Sequence, residues 1–193
     1  MLKSKIVQFM VESNVIEKDE CEIYLFGCQL IEELVISFAI FTAISLLFHQ
    51  FTETLIFVVA FSLIRRYAGG FHADKFSTCL VISCAIIMLF NVCMTVAMDH
   101  LVVFRFEIML ISVSAIVFIS PVDSANKKLS HGERRVYRKY TISFLFFEAV
   151  IILMLECFSL YKYEICIIYS WFVLFISLIF GIVKNSNRTI KNS

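Results

Sequence analysis

The chain has 193 residues, 60% of them hydrophobic, with 21 phenylalanines and a single proline. A soluble domain carries roughly 45–50% apolar residues, so this composition excludes one and points to an all-α integral membrane protein. A net charge of +1 excludes nucleic acid as a partner, because no surplus of cation is present to neutralise phosphate, and seven scattered cysteines without a CxxC pair exclude a disulfide framework and leave thiols.

A bilayer core of about 30 Å needs about 20 apolar residues per helix, so the length accommodates five or six crossings. We expect about six transmembrane helices in one polytopic domain over residues 1–193: an interfacial amphipathic helix at 1–20, a bundle at 21–184 and a basic tail at 185–193. Glu12, Glu17, Asp19 and Glu20 interrupt any apolar core near the start, so a cleavable signal peptide is not expected. Over residues 5–18, Ile6, Val7, Met10, Val11 and Val15 fall at helical spacing opposite Lys5, Gln8, Glu12, Ser13 and Glu17. That pattern suits a helix lying on the membrane surface, or one docked on the protein's own inner face.

Cys21 to Phe48 is the first long apolar run, with Glu22, Gln29, Glu32 and Glu33 in its first half. Acids at that depth sit at the inner boundary in water, or line a site, which makes Gln29, Glu32 and Glu33 candidate site-lining groups, Gln29 and Glu33 among them as substrate contacts. A polar break, His49 to Glu53, precedes a brief apolar segment from Thr54 to Ile64, and then comes the most informative stretch, Arg65-Arg66-Tyr67-Ala68-Gly69-Gly70-Phe71-His72-Ala73-Asp74-Lys75-Phe76-Ser77-Thr78-Cys79. On a single helix His72 and Cys79 would stand roughly 10 Å apart, too far for proton transfer, so a chemical pair requires the chain to fold back. Gly69 and Gly70 permit that turn, and Asp74 or Ser77 can cap a helix beginning just before Cys79. A cysteine in a first helical turn beside an imidazole is an activated nucleophile next to its base; the same residue in an apolar helix also serves as a small hydrophobe.

Phe76 to Met98 is a third expected span, in which Cys84 lies about 140° around the helix from Cys79, so no metal site unites them. Asp99-His100 reads as a tight turn, Leu101 to Ser120 as a fourth span ended by Pro121, and 121–140 as a second polar loop with a basic run suited to anionic lipid. In that loop Asp123 and Asn126 are candidates to orient an imidazole, or are turn and cap residues. Thr141 to Leu160, holding Glu148 and Glu156, and Ile165 to Val183 complete the six spans, with Tyr161 to Glu164 as an outer turn between them. Glu148 is expected to face protein rather than lipid. With both termini cytoplasmic, 15 of the 17 basic residues fall inside and only Arg105 and Lys162 outside, a strong positive-inside bias. The Gly-Gly-Phe-His loop then lies on the reducing cytoplasmic side of the membrane, where a thiolate survives.

Arg65, Gly69-Gly70, His72-Ala73 and Cys79 at this spacing between two membrane segments, with the later Pro121-Val122-Asp123-Ser124-Ala125-Asn126-Lys127, resemble the accessory gene regulator B (AgrB) family of membrane cysteine peptidases. The resemblance covers most of the chain. It implies His72 and Cys79 as a catalytic pair and Gly69 and Gly70 as loop-forming positions, with no cofactor. It further implies a small amphipathic AgrD-type propeptide as substrate, cleaved at its carboxyl-terminal tail through a Cys thioester and cyclised to a thiolactone or lactone quorum-sensing pheromone, and a homodimer in lipid. Arg65 orients the loop, binds a substrate carboxylate or anchors at the interface. Two rivals stand beside this reading: a small transporter or peptide exporter lined by Glu148, Glu156 and Asn91, and a non-catalytic sensor or scaffold. The lack of an inverted hydropathy repeat or of a Gly- or Pro-broken helix pair weighs against the transporter.

Overall fold

A computed structural model describes residues 7–11, 13, 16–71, 73, 75–123 and 129–191, with backbone alone for 18 and 187–191. The described residues are helical, with no strand among them, and divide into two units, Met1–Ile44 and Ser45–Ser193.

In the first unit, residues 7–11 are helical, within the span expected for the amphipathic segment. A 3-10 turn, Lys18–Glu20, leads into α1, Cys21–Leu47, close to the expected 21–48. Polar groups on α1 are satisfied along the helix: the Gln29 amide donates to Glu33 Oε1 at 2.9 Å, and the Ser37 hydroxyl donates to the Glu33 carbonyl at 2.7 Å.

The second unit contains α2 (Phe51–Ala68), α3 (Phe76–Val96), α4 (Met98–Val103), α5 (Arg105–Ile119), α6 (His131–Cys157) and α7 (Tyr161–Lys191). Helix α7 is the axis, with α2, α5 and α6 all packed against it. Ile168, Trp171, Leu174 and Leu178 of α7 meet Ala60 and Ile64 of α2, Ile116 of α5, and Leu145 and Ile152 of α6 in one core. On α7 these recur at three- and four-residue steps, the spacing of one helical face. Phe57 of α2 stacks on Phe90 of α3 at 4.6 Å between centroids, and both rings meet Tyr169 of α7 edge-on.

Two sets of contacts fix how the helices run. Near one end Glu53 pairs with Lys162 (2.6 Å) and Arg105 with Glu156 (3.0 Å); near the other, Arg65 donates to Ser177 (3.0 Å) and Arg138 to the Val117 carbonyl (3.2 Å). Helices α2, α5 and α7 therefore run in one direction and α6 in the other. Among the described residues four helices are long and apolar enough to cross a membrane: α1, α3, α6 and Tyr161–Ser186 of α7. Helix α5 is too short for that measure at 15 residues, and α2 carries Glu53, Arg65 and Arg66 within its 18 residues.

Several expected boundaries are corrected. The basic stretch read as a loop over 121–140 becomes helix at His131, because Ser130 and Glu133 form a reciprocal capping box that satisfies two otherwise unpaired N–H groups. Asp99-His100 lies inside the short helix α4 rather than in a turn, and the run read as Leu101 to Ser120 is broken at Phe104. Tyr161 to Glu164 is the first turn of α7 and not a loop; the turn lies at 158–160.

Candidate active site

Helix α2 ends at Ala68 because Gly69 and Gly70 take φ of +77° and +126°, which ordinary side chains avoid. Space forbids a side chain as well as torsion. A Cβ on Gly70 would lie 2.7 Å from Ser177 Oγ, and one on Gly69 would run into the Val122 carbonyl, with Val122 C at 3.3 Å. Gly69 and Val122 form a parallel bridge, and the Val122 N–H donates to the Ala68 carbonyl at 2.9 Å. The two polar loops are thereby tied together at one end of the second unit.

Arg65, in the last turn of α2, fixes where the turn goes. Its Nη1 donates to Ser177 Oγ at 3.0 Å and its Nη2 donates to the Phe71 carbonyl. The Phe71 N–H in turn donates to the Ser177 carbonyl (2.9 Å) and to Ser177 Oγ (3.2 Å), while the Lys184 ammonium sits 5.1 Å from the centre of the Phe71 ring. Of the roles open to Arg65, orienting the loop is the one that these bonds serve.

After the turn the chain enters α3 at Phe76. No side chain caps this start; Lys75 occupies the cap position. The Cys79 N–H donates to the Lys75 carbonyl at 3.1 Å and closes the first turn, so the N–H groups of Phe76, Ser77 and Thr78 precede the first helical bond. Cys79 is half-buried in the first turn of α3. The chain thus turns at Gly69-Gly70 between α2 and α3. His72, Asp74 and Asn126 lie outside the described residues. Among the described residues no group of His, Cys, Asp or Glu is arranged to hold a metal ion.

Asp123 is used by its own loop. Its Oδ2 accepts from Arg134 at 2.7 Å, its Oδ1 from the Leu129 N–H at 3.4 Å, and its carbonyl from the Asn185 amide at 2.6 Å. Gln29 and Glu33 pair with one another on α1 in the first unit. Ser177, Gly181 and Asn185 on α7, which touch the two loops, carried no signal on inspection of the sequence alone. The trace they leave is a polar or small residue at every fourth position, 177, 181 and 185, along one face of α7.

The groups expected to line a transport path are taken up inside the bundle. Glu148 is buried, as expected, and accepts from Trp171 Nε1 at 2.6 Å; Asn91 accepts from the Thr54 hydroxyl at 3.1 Å and donates to the Ile87 carbonyl at 2.8 Å. Glu156 pairs with Arg105, whose Nε also stands 3.4 Å from the fully buried Glu164.

A family model described as Accessory gene regulator B matches residues 3–183. An AgrB-like protein of Clostridium perfringens strain SM101 is 25% identical over 144 residues, and a second AgrB-like protein, from strain 13 of the same species, is 28% identical over 139 residues. Each alignment takes in 68% of this chain and 65% of the relative, so the chain spans just under two thirds of the length of these proteins. No solved structure matches the chain.

Proposed function

The chain belongs to the accessory gene regulator B family, and from that premise we propose that it is a membrane cysteine endopeptidase. In this reading it removes the carboxyl-terminal tail of a small amphipathic AgrD-type propeptide and promotes its cyclisation to a thiolactone or lactone pheromone for quorum sensing. The observation that carries it is the turn at Gly69-Gly70, held by Arg65 onto Ser177 and the Phe71 carbonyl, which the chain leaves, by way of His72, for the first turn of α3 where Cys79 lies.

His72 takes the proton of the Cys79 thiol, and the thiolate attacks the scissile carbonyl. N–H groups of Phe76, Ser77 and Thr78 at the start of α3 are the donors available to the developing oxyanion. As the C–N bond breaks, the imidazolium returns the proton to the leaving amine, and the amino-terminal part of the substrate remains on Cys79 as a thioester. A substrate thiol or hydroxyl then attacks that carbonyl; its proton passes to the departing Cys79 sulfur, which restores the enzyme and closes the ring. A thioester retains the activation that ring closure needs, so no nucleotide is required.

The reading includes six crossings with both termini in the cytoplasm, the site at the inner face of a bacterial plasma membrane, and a homodimer. Six crossings are supported by α2 and α5 lying alongside α7, and the orientation by the charge at the two ends of the second unit. Arg65, Arg66, Arg134, Arg138 and Lys184 cluster near the glycine turn, whereas Arg105 and Lys162 lie at the opposite end against Glu53, Glu156 and Glu164.

The test is cleavage of a synthetic amphipathic propeptide by the purified protein in liposomes, with products weighed by mass spectrometry. Cys79→Ser is expected to abolish cleavage and Cys84→Ser to retain most of it, with an acyl adduct on the peptide containing Cys79. Equal activity of the two variants would overturn the assignment.

A further inference from the structure

Three elements converge on one short stretch of α7: Arg65 from α2, the backbone of Gly70 and Phe71 from the loop, and the side chain of Ser177. The Ser177 hydroxyl accepts from both the Arg65 guanidinium (3.0 Å) and the Phe71 N–H (3.2 Å), and its carbonyl accepts from the same N–H (2.9 Å). One turn further on, Gly181 is buried against the loop, where an added Cβ would stand 2.9 Å from Gly70 C and 3.1 Å from Phe71 N. The hydroxyl thus pulls the loop onto α7, and the missing side chain at 181 lets it come that close. Phe71 is the residue directly before His72, so whatever holds the Phe71 peptide holds the chain next to His72 in sequence.

We infer that Ser177, with Gly181 one turn beyond it, is the seat on α7 that positions the His72-bearing loop for the transfer to Cys79. Neither residue touches the reacting atoms; both are positioning residues acting through Phe71 and Arg65. The inference rests on the peptidase reading above. Its physical content is that the seat governs alignment rather than substrate affinity, and a displacement of about 1 Å in an aligned site lowers the rate on the order of a hundredfold.

The experiment is steady-state propeptide cleavage in liposomes by Ser177→Ala, Gly181→Ala, Arg65→Gln and the double variant Arg65→Gln/Ser177→Ala, beside Cys79→Ser and the exposed control Ser114→Ala. Ser177→Ala is expected to lower kcat about ten- to a hundredfold with KM changed less than about threefold. The double variant should be little slower than the slower of its two parents, because both substitutions release the same peptide. Gly181→Ala, which removes no polar group and only pushes the loop away, should lower kcat with KM held in the same way, and it carries the test should Ser177→Ala fail to fold. A kcat within twofold of wild type in either folded variant, or a KM increase that accounts for the loss, overturns the positioning role. Full cleavage by Cys79→Ser would instead overturn the peptidase reading itself, so the two failures are told apart within one experiment.

Discussion

Gly69 and Val122 are joined as a parallel backbone bridge, although 53 positions separate them in the chain. Two loops that each follow a helix of the bundle are thereby joined into one corner, from which the chain departs toward Cys79. The corner depends on a backbone that only glycine adopts: at φ 77° and ψ −147°, Gly69 occupies a region closed to residues with a Cβ.

Gly69→Ala is therefore expected to disable the corner by torsion and by collision at once. A residue forced into such a region costs about 1–3 kcal/mol, and here the Val122 carbonyl must also retreat. We expect propeptide cleavage to fall at least about tenfold, an amount that corresponds to about 1.4 kcal/mol. Gly132→Ala is the matched control, since nothing lies within 4 Å of a Cβ there. Cleavage by Gly69→Ala equal to that of Gly132→Ala would show that the corner is not needed.

Much of this arrangement is visible in the residues alone, and what is not has physical reasons. Residues 21–48 read as a helix because they form a long apolar run broken only by Glu22, Gln29, Glu32 and Glu33, and Gly69-Gly70 as a reversal because two adjacent glycines interrupt an apolar stretch. Glu148 could be assigned to the protein interior from the cost of a carboxylate in lipid, and its bond to Trp171 meets that need. The start of α6 was hidden by its own charge: Arg134, Arg135, Arg138 and Lys139 look like a loop, and only Ser-His-Gly-Glu at 130–133 betrays a capped helix. The break at Phe104 has neither glycine nor proline to announce it. Ser177 was invisible for a different reason, since a serine in an apolar helix says nothing until its partners, Arg65 and Phe71, more than a hundred positions earlier, are known.

The capping box at Ser130 and Glu133 makes a prediction about stability. Ser130 Oγ accepts from the Glu133 N–H at 3.3 Å, and Glu133 Oε2 accepts from the Ser130 N–H at 2.9 Å. Ser130→Ala is expected to cost about 1 kcal/mol, and Ser130→Asp, which keeps an acceptor at the cap, much less. Thermal unfolding of the purified protein in detergent checks this, and an Ala variant that melts no earlier than the Asp variant would contradict it.

Inside the bundle, Trp171→Phe removes the donor to a buried carboxylate and leaves Glu148 Oε2 without its partner. Leaving a buried polar group unpaired costs about 1–3 kcal/mol. The second substitution, Glu148→Leu in the Trp171→Phe background, takes away the stranded acceptor and should restore much of the loss, because an apolar pair of similar shape needs no hydrogen bond. A double variant at least as unstable as Trp171→Phe would mean that the indole contributes by packing alone.

The two ends of the second unit differ in charge in a way that labelling can read. Near the glycine turn cations are numerous, and the acid Asp123 is held by Arg134. At the opposite end Arg105 and Lys162 face three carboxylates, and Lys162 Nζ lies 2.6 Å from the buried Glu53. Loops rich in Lys and Arg stay in the cytoplasm, so Phe158, 73% exposed in the turn before α7, should lie outside and the exposed Lys75, just before α3, inside. In a background with the native cysteines replaced, Phe158→Cys is expected to react with a membrane-impermeant maleimide on intact cells, and Lys75→Cys only after the cells are opened. These two positions lie at opposite ends of helices packed on the same core, so the labelling pattern must be complementary. Reaction of Lys75→Cys on intact cells would place the Cys79 helix start outside, where no cytoplasmic propeptide can reach it, and would remove the substrate route as well as the orientation.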